Sequence, residues 1–155
     1  MPPHIRTEVQ VMFFDTDCGG VVSNIAYLRF VEIARTHLTE TLGLALAEMT
    51  EKQTYPVVVR TEIDYRRVAR LGDRLIIEGW LDRVERARFW CAFRITRPAD
   101  KTLIAECRQM LALIEMPNGK LLRLPEHWKP GCHSESSEDP RRESRTGTVS
   151  AEESE

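Results

Sequence analysis

The stretch Val11-Met12-Phe13-Phe14-Asp15-Thr16-Asp17-Cys18-Gly19-Gly20-Val21-Val22-Ser23-Asn24-Ile25-Ala26-Tyr27-Leu28-Arg29-Phe30 changes its hydrophobic period partway along. Over residues 7–14 the period is two: Val9, Val11 and Phe13 fall on one side of an extended strand. After Ser23 the period becomes three to four. Tyr27, Phe30, Val31, Ala34, Leu38 and Leu42 form the apolar stripe of an amphipathic helix. Ser23 or Asn24 supplies its N-cap, and Gly43 stands where a left-handed residue ends it. The helix covers residues 24–42, about 28 Å at the rise of an α-helix. Between the two periods, Asp15 to Gly20 is a tight loop of carboxylates and glycines.

Beyond the helix the pattern is strand throughout. Residues 44–55 read as an irregular connection. Val57, Val59, Thr61, Ile63 and Tyr65 alternate with polar neighbours, and Leu71-Gly72-Asp73 makes a turn. Leu75, Ile77 and Leu81 share a face, with Gly79 between them marking a bulge or a close contact. Phe89, Cys91, Phe93 and Ile95 alternate cleanly; after a turn at Pro98-Ala99-Asp100-Lys101, a last strand runs over residues 103–115. The order β, long α, then four β predicts an α+β domain, and the short turns predict antiparallel pairing. One helix cannot cover both faces of such a sheet. Trp80 and Trp90 also lie on the opposite parity from their strands' main apolar faces. A homodimer or homotetramer is therefore expected, with edge-strand pairing as its natural route.

The chain has 155 residues, 42% hydrophobic and 30% charged, with 22 Lys and Arg against 24 Asp and Glu, for a net charge of −2. That balance argues against a nucleic-acid partner. No apolar run is long enough for a membrane span, and the N-terminus carries no secretion signal. The charge is uneven. Residues 133–155 hold seven acids and three arginines, a tail of −4, which leaves +2 on residues 1–132. So polar a tail cannot bury enough apolar surface to offset the entropy of ordering it, so disorder is expected there. The domain is residues 1–132. Cys18, Cys91, Cys107 and Cys132 show no CxxC spacing and no clustered histidines, so no metal or cofactor is called for. Reduced cysteines fit a cytoplasmic protein.

The loop before the helix carries the chemistry. Asp17 can act as a general base or nucleophile. The glycines allow close approach to backbone, and the free N–H groups at the helix start can polarise a carbonyl or hold an oxyanion. An ordinary Asx turn followed by a helix cap is the structural alternative. Asp15 is read as ordering the loop or supporting Asp17; two adjacent carboxylates would raise one pKa. Cys18 has no histidine near it in sequence, and His37 reads as a surface helix residue. Arg66, Arg67 and Arg70 form the densest basic cluster, either a solvated strand end or a phosphate contact.

The loop-and-helix run, continuing through Glu32-Ile33-Ala34-Arg35, resembles the signature of hotdog-fold acyl-CoA thioesterases. It is most similar to the 4-hydroxybenzoyl-CoA thioesterase group and to the small bacterial thioesterases associated with the Tol–Pal system. The resemblance continues through Ile63-Asp64-Tyr65-Arg66-Arg67-Val68-Ala69-Arg70-Leu71-Gly72-Asp73-Arg74-Leu75 and reaches Leu122-Arg123-Leu124-Pro125-Glu126. It implies a long central helix wrapped by a five-stranded antiparallel sheet, dimerising by joined sheets. It also implies hydrolysis of an acyl-CoA or acyl-carrier-protein thioester. Asp17 then matches the catalytic carboxylate, as nucleophile or as base, and Gly20 the motif glycine. The amides around Ser23 and Asn24 would polarise the carbonyl, and the region of Arg66, Arg67 and Arg70 lies near the CoA entrance. Tyr27 matches an aromatic that packs helix on sheet. Asn24 departs from the His common in the Tol–Pal group; it can orient a water or carbonyl but cannot relay a proton at neutral pH. Two rivals stand beside this reading: a hotdog hydratase or dehydratase, for which the loop supplies no His, and a non-catalytic acyl-CoA-binding module.

Overall fold

The computed structural model describes residues 3–129; the proposed tail, 133–155, lies outside them. The first strand, β1 (His4–Gln10), alternates between exposed and half-buried residues as a sheet edge should. It stops four residues earlier than the sequence pattern suggests. The Asp15 carboxylate accepts the Met12 N–H at 2.8 Å, Asp15 N–H donates to Met12 O, and Thr16 N–H donates to Phe13 O. These short-range bonds turn Phe13–Asp15 into one 3-10 turn, the usual way an Asp side chain competes with a strand ladder. Phe13 and Phe14 point outward, 80% and 74% exposed.

Helix α1 (Asn24–Thr41) follows, with Ser23 as its cap: the Ser23 hydroxyl accepts the Ala26 N–H. Gly43 is left-handed, with φ +79. The buried face of α1 is Ala26, Tyr27, Phe30, Val31, Ala34, Leu38 and Thr39, and it packs on β1, β3 and β4. The connection read as irregular contains a second helix, α2 (Leu46–Lys52). It buries no residue fully and its cap position is Ala45, without a side-chain bond, so neither an apolar stripe nor a capping residue marks it. Met49 alone leans on the core.

The remaining strands are β2 (Thr54–Tyr65), β3 (Arg74–Val84), β4 (Arg88–Arg97) and β5 (Thr102–Glu115), joined by a two-residue β6 (Lys120–Leu121) against β5. Among the described residues the sheet thus has six strands, one more than the sequence pattern counts. Its order is β1-β3-β4-β5-β2, and every pairing is antiparallel. Although β2 and β3 are consecutive, they lie apart: β2 pairs with β5, so its outer edge has no partner among the described residues.

Gly79 marks a close contact. A Cβ there would stand 2.9 Å from the Phe93 ring and 3.2 Å from Ile5 Cδ1, and the bulge on β3 falls later, between Leu81 and Arg83. Trp80 and Trp90 do lie on the outer face, and arginines from neighbouring strand positions cover them. Arg94 sits 5.8 Å from the Trp80 ring centre and Arg108 4.7 Å from that of Trp90. Their half-burial therefore has an account inside one chain, through cation–π contact and the aliphatic stems. Cys91 and Cys107 are buried, and burial pushes each thiol up to about 12.

Gly79→Ala should overpack the sheet–helix core and lower stability by about 1–3 kcal/mol. Urea denaturation of wild type and variant checks it; an unchanged midpoint would show that Phe93 yields freely.

Candidate active site

The loop that leads into α1 is a small hairpin. Asp17 N–H donates to Val21 O at 3.0 Å and Gly20 N–H returns to Asp17 O at 3.0 Å, while Thr16 and Val22 form a bridge. Asp17 Oδ1 accepts the Gly19 N–H at 2.9 Å, an Asx turn, and its side chain is exposed. The carboxylate folds over Gly19 so closely that a Cβ there would lie 3.2 Å from Oδ1. Gly20 has φ +68, a left-handed turn that favours glycine. The turn and the exposed carboxylate coexist: one oxygen anchors the loop and the other has no hydrogen-bond partner among the described residues.

Asp15 faces the other way. Its side chain is 1% exposed and forms an ion pair with Arg29 of α1. Its backbone carbonyl accepts the Ser23 N–H at 2.8 Å. Arg29 in turn lies against the rings of Phe14 and Phe30, at 5.0 and 5.5 Å from their centres. The two carboxylates thus occupy different environments and do not share a site. Asp15 locks the hairpin to the helix; Asp17 is presented by it.

These bonds sort the backbone donors. Ser23 and Gly20 both donate internally, to Asp15 O and Asp17 O. Among the described residues, the amides of Asn24 and Ile25 are the first-turn donors left without an acceptor, as helix geometry requires.

A second strip of chain completes the site. Val22 N–H donates to Ala69 O at 2.8 Å, and Val21 bridges to Arg70, so the basic segment runs beside the hairpin. It is held from behind by Arg97, which donates to Val68 O at 3.2 Å and to Asp73 at 2.9 Å; Asp73 also accepts the Arg70 N–H at 2.9 Å. Hydrogen bonds to Asp100 and then Asp73 raise the Arg97 pKa further, and the same guanidinium holds Asp100 well below the usual carboxylate range.

Between helix start and basic segment lies an open groove of about 250 Å³, lined by Val22, Asn24, Tyr27, Tyr65 and residues 66–68. Tyr27 and Tyr65 meet there with ring centres 5.3 Å apart. Burial raises both hydroxyl pKa values, partly offset at Tyr27 by the Ala69 backbone, so both are protonated donors at neutral pH. Tyr27 is 4% exposed, which fits the packing role read from its place on the stripe.

Of the candidate residues, Asn24, Arg66 and Arg67 share the groove. Arg66 is also engaged, 3.1 Å from Glu106 and 3.7 Å from Asp64. The Arg67 guanidinium donates to the Arg66 carbonyl at 2.9 Å. Arg70 reaches the hairpin through its backbone. Asp17, Gly20 and Ser23 form the adjoining hairpin and cap. Cys18 is exposed beside Asp17, and His37 is exposed on α1. Tyr65 was not singled out in the sequence; its alternation on β2 marks it as an inner-face residue, but its meeting with Tyr27 depends on the sheet order.

A curled antiparallel sheet with one long helix packed on its face is the architecture of the hotdog fold. Residues 11–130 match the model of the thioesterase-like superfamily. The chain belongs to that superfamily and is a thioester hydrolase. It is similar to acyl-CoA thioesterase YbgC of Haemophilus influenzae, 32% identical over 126 residues that cover 81% of this chain and 91% of that one. Among solved structures it resembles Slr0204, a 1,4-dihydroxy-2-naphthoyl-CoA thioesterase from Synechocystis, with TM-score 0.72, 26% identity and coverage of 81% and 92%. It also resembles a probable thioesterase from Bartonella henselae, with TM-score 0.72, 27% identity and coverage of 79% and 99%.

Asp15→Asn keeps the shape and an acceptor for Met12 but removes the charge facing Arg29. It should lower stability by about 1–3 kcal/mol. Thermal denaturation followed by circular dichroism tests it, and an unchanged melting temperature would show the lock to be dispensable.

Proposed function

We infer that the substrate is an acyl-CoA, or the equivalent acyl-carrier-protein thioester, hydrolysed to free acid and thiol, with Asp17 as the reacting carboxylate. The observation that carries this reading is the Asp17 side chain itself: exposed, anchored through one oxygen to Gly19, on the hairpin that leads into the helix whose first amides, of Asn24 and Ile25, are free. As general base, Asp17 takes a proton from water while the water oxygen bonds to the carbonyl carbon. The amides hold the resulting oxyanion. Its collapse breaks the C–S bond, and the thiolate leaves with the proton from Asp17. As nucleophile, Asp17 bonds to the same carbon, expels the thiolate, and the mixed anhydride is then hydrolysed by water. The Asn24 amide orients water or carbonyl in either route.

Arg66, Arg67 and Arg70 lie on the segment beside the groove, where guanidinium groups meet the phosphates of CoA. The activities of YbgC, an acyl-CoA thioesterase, and of Slr0204, a 1,4-dihydroxy-2-naphthoyl-CoA thioesterase, favour CoA. Asp17 and the absence of a loop histidine favour hydrolysis over hydration, and the exposed acid favours catalysis over simple binding. The subfamily reading is the 4-hydroxybenzoyl-CoA and Tol–Pal group with Asn24 in place of His, and the location is cytoplasmic. No helix among the described residues is long and apolar enough to cross a membrane.

Asp17→Asn should lower thiol release from acyl-CoA by at least about 100-fold while leaving the melting temperature and mass in solution unchanged. Near-wild-type turnover in that variant would overturn the assignment. Wild-type binding without thiol release would instead mark a sensor, and loss of the acyl double bond or hydroxyl with the thioester intact would mark a hydratase or dehydratase.

The edge of β2, unpaired among the described residues, and the exposed apolar side chains of Phe13, Phe14 and Ile25, the last 73% exposed, support a homodimer or homotetramer that covers them. Light scattering should give at least twice the 17.9 kDa chain mass. A monomer at micromolar concentration would refute it.

A further inference from the structure

Residues 66–73 join β2 to β3 without regular structure, and Arg66, Arg67 and Arg70 stand on them. Irregular backbone needs hydrogen-bond partners as much as a strand does, and apolar burial does little to hold this strip. Val68 and Leu71 are 52% and 55% exposed, and Ala69 is the one buried residue. The ends are tied through backbone. Arg66 and Arg67 N–H both donate to Ile104 O, at 2.8 and 3.1 Å. At the other end Gly72 N–H donates to Val11 O and Val11 N–H donates to Asp73 O.

The middle depends on Arg97, the last residue of β4. Among the described residues it is the one side chain from outside the strip that donates to the strip's backbone. Its Nη1 reaches Val68 O at 3.2 Å and Asp73 Oδ2 at 2.9 Å, and the same Oδ2 accepts the Arg70 N–H at 2.9 Å. The other side of the guanidinium is turned onto Asp100, with Nε at 3.1 Å and Nη2 at 2.8 Å. Asp100 is fixed in turn by the Thr102 N–H at 3.2 Å. Arg97 is thus spent on protein acceptors. It stands behind a strip whose front lines the groove at residues 66–68 and meets the hairpin through Ala69 and Arg70.

We propose that Arg97 is a positioning residue for the nucleotide end of CoA: by fixing Val68 and Asp73 it presets the strip from which Arg66, Arg67 and Arg70 meet the phosphates. On a loose strip, phosphate binding would have to order the backbone as well as the long side chains. On a fixed one only the side chains remain to be ordered, so more of the interaction appears as affinity. Thioesters of pantetheine alone lack the nucleotide and its phosphates, so their hydrolysis is indifferent to Arg97. The inference rests on the thioesterase reading above and adds a residue to it.

The test uses the full chain and free-thiol release from hexanoyl and benzoyl thioesters, each made with CoA and with pantetheine. In wild type the CoA ester of at least one acyl group should exceed its pantetheine partner in kcat/KM by about 10-fold or more. In Arg97→Met that ratio should fall by about 5-fold or more, through loss on the CoA ester alone. Arg97→Lys keeps the charge without the fork and should also lower the ratio. Asp73→Ala separates charge from geometry: removing an acid beside the arginines would by its field raise the preference for CoA, whereas losing the anchor lowers it. That variant also serves should Arg97→Met fail to fold by circular dichroism. Gly79→Ala, which disturbs the core at Phe93 and Ile5 instead, should keep the wild-type ratio. The positioning role is overturned, with hydrolysis left standing, by a wild type without CoA preference, by equal losses on both esters in Arg97→Met, by a full wild-type ratio in Arg97→Lys, by a ratio not lowered in Asp73→Ala, or by one lowered in Gly79→Ala. Absence of thiol release from every substrate would overturn the thioesterase reading itself.

Discussion

The buried Asp15 carboxylate is the constraint on which the rest of the site depends. With 1% of its surface exposed, it needs partners, and it takes them from both sides of a junction: the Met12 N–H from the end of the first strand and Arg29 from the first turns of α1. Its own carbonyl binds the helix-capping Ser23. A buried carboxylate left unpaired would be far more costly than the turn it enforces, so the strand ends early and the hairpin is set against the helix. The exposed Asp17 and the free amides of Asn24 and Ile25 occupy fixed positions because of that junction.

Sheet order supplies the second constraint. The strand that follows the helices crosses to the far edge and pairs with β5, while β3 returns beside β1. One helix then packs mainly on β1, β3 and β4 and meets β2 through Tyr27 and Tyr65. The groove beside Asn24, the Tyr27–Tyr65 contact and the polar network of Arg35, Gln109 and Thr61 all join the helix to β2 or its neighbour β5. The same crossing leaves the outer edge of β2 without a partner among the described residues.

Much of this was legible in the residues. The change of period around Asp15 announced strand, loop and helix, and the helix limits fell within one residue of those observed. Alternation located the four later strands. Local chemistry hid three features: α2 buries no residue fully, β6 is two residues long, and the early end of β1 comes from a side chain bonding three residues back. The two tryptophans had the right parity, but arginines from adjacent strands cover them, and which side chains meet across a sheet depends on register. At the site, Asp17, Gly20, Ser23 and Asn24 were visible as a cluster because they are close in sequence. The division of labour among them was not, since it is decided by which backbone donors the fold consumes.

The sequence by itself determined the class of fold, the acid-bearing loop ahead of a helix start, and the basic segment later in the chain. Periodicity and short-range motifs carry that information because they act over a few residues. Only the tertiary structure decided that residues 66–73 lie beside the hairpin, that Asp15 and Asp17 face opposite ways, and that Arg35, Gln109 and Thr61 meet across three elements. Those juxtapositions join residues up to 74 positions apart. They follow from the order in which strands pair, which local alternation leaves open and the packing of one helix on one curled sheet settles.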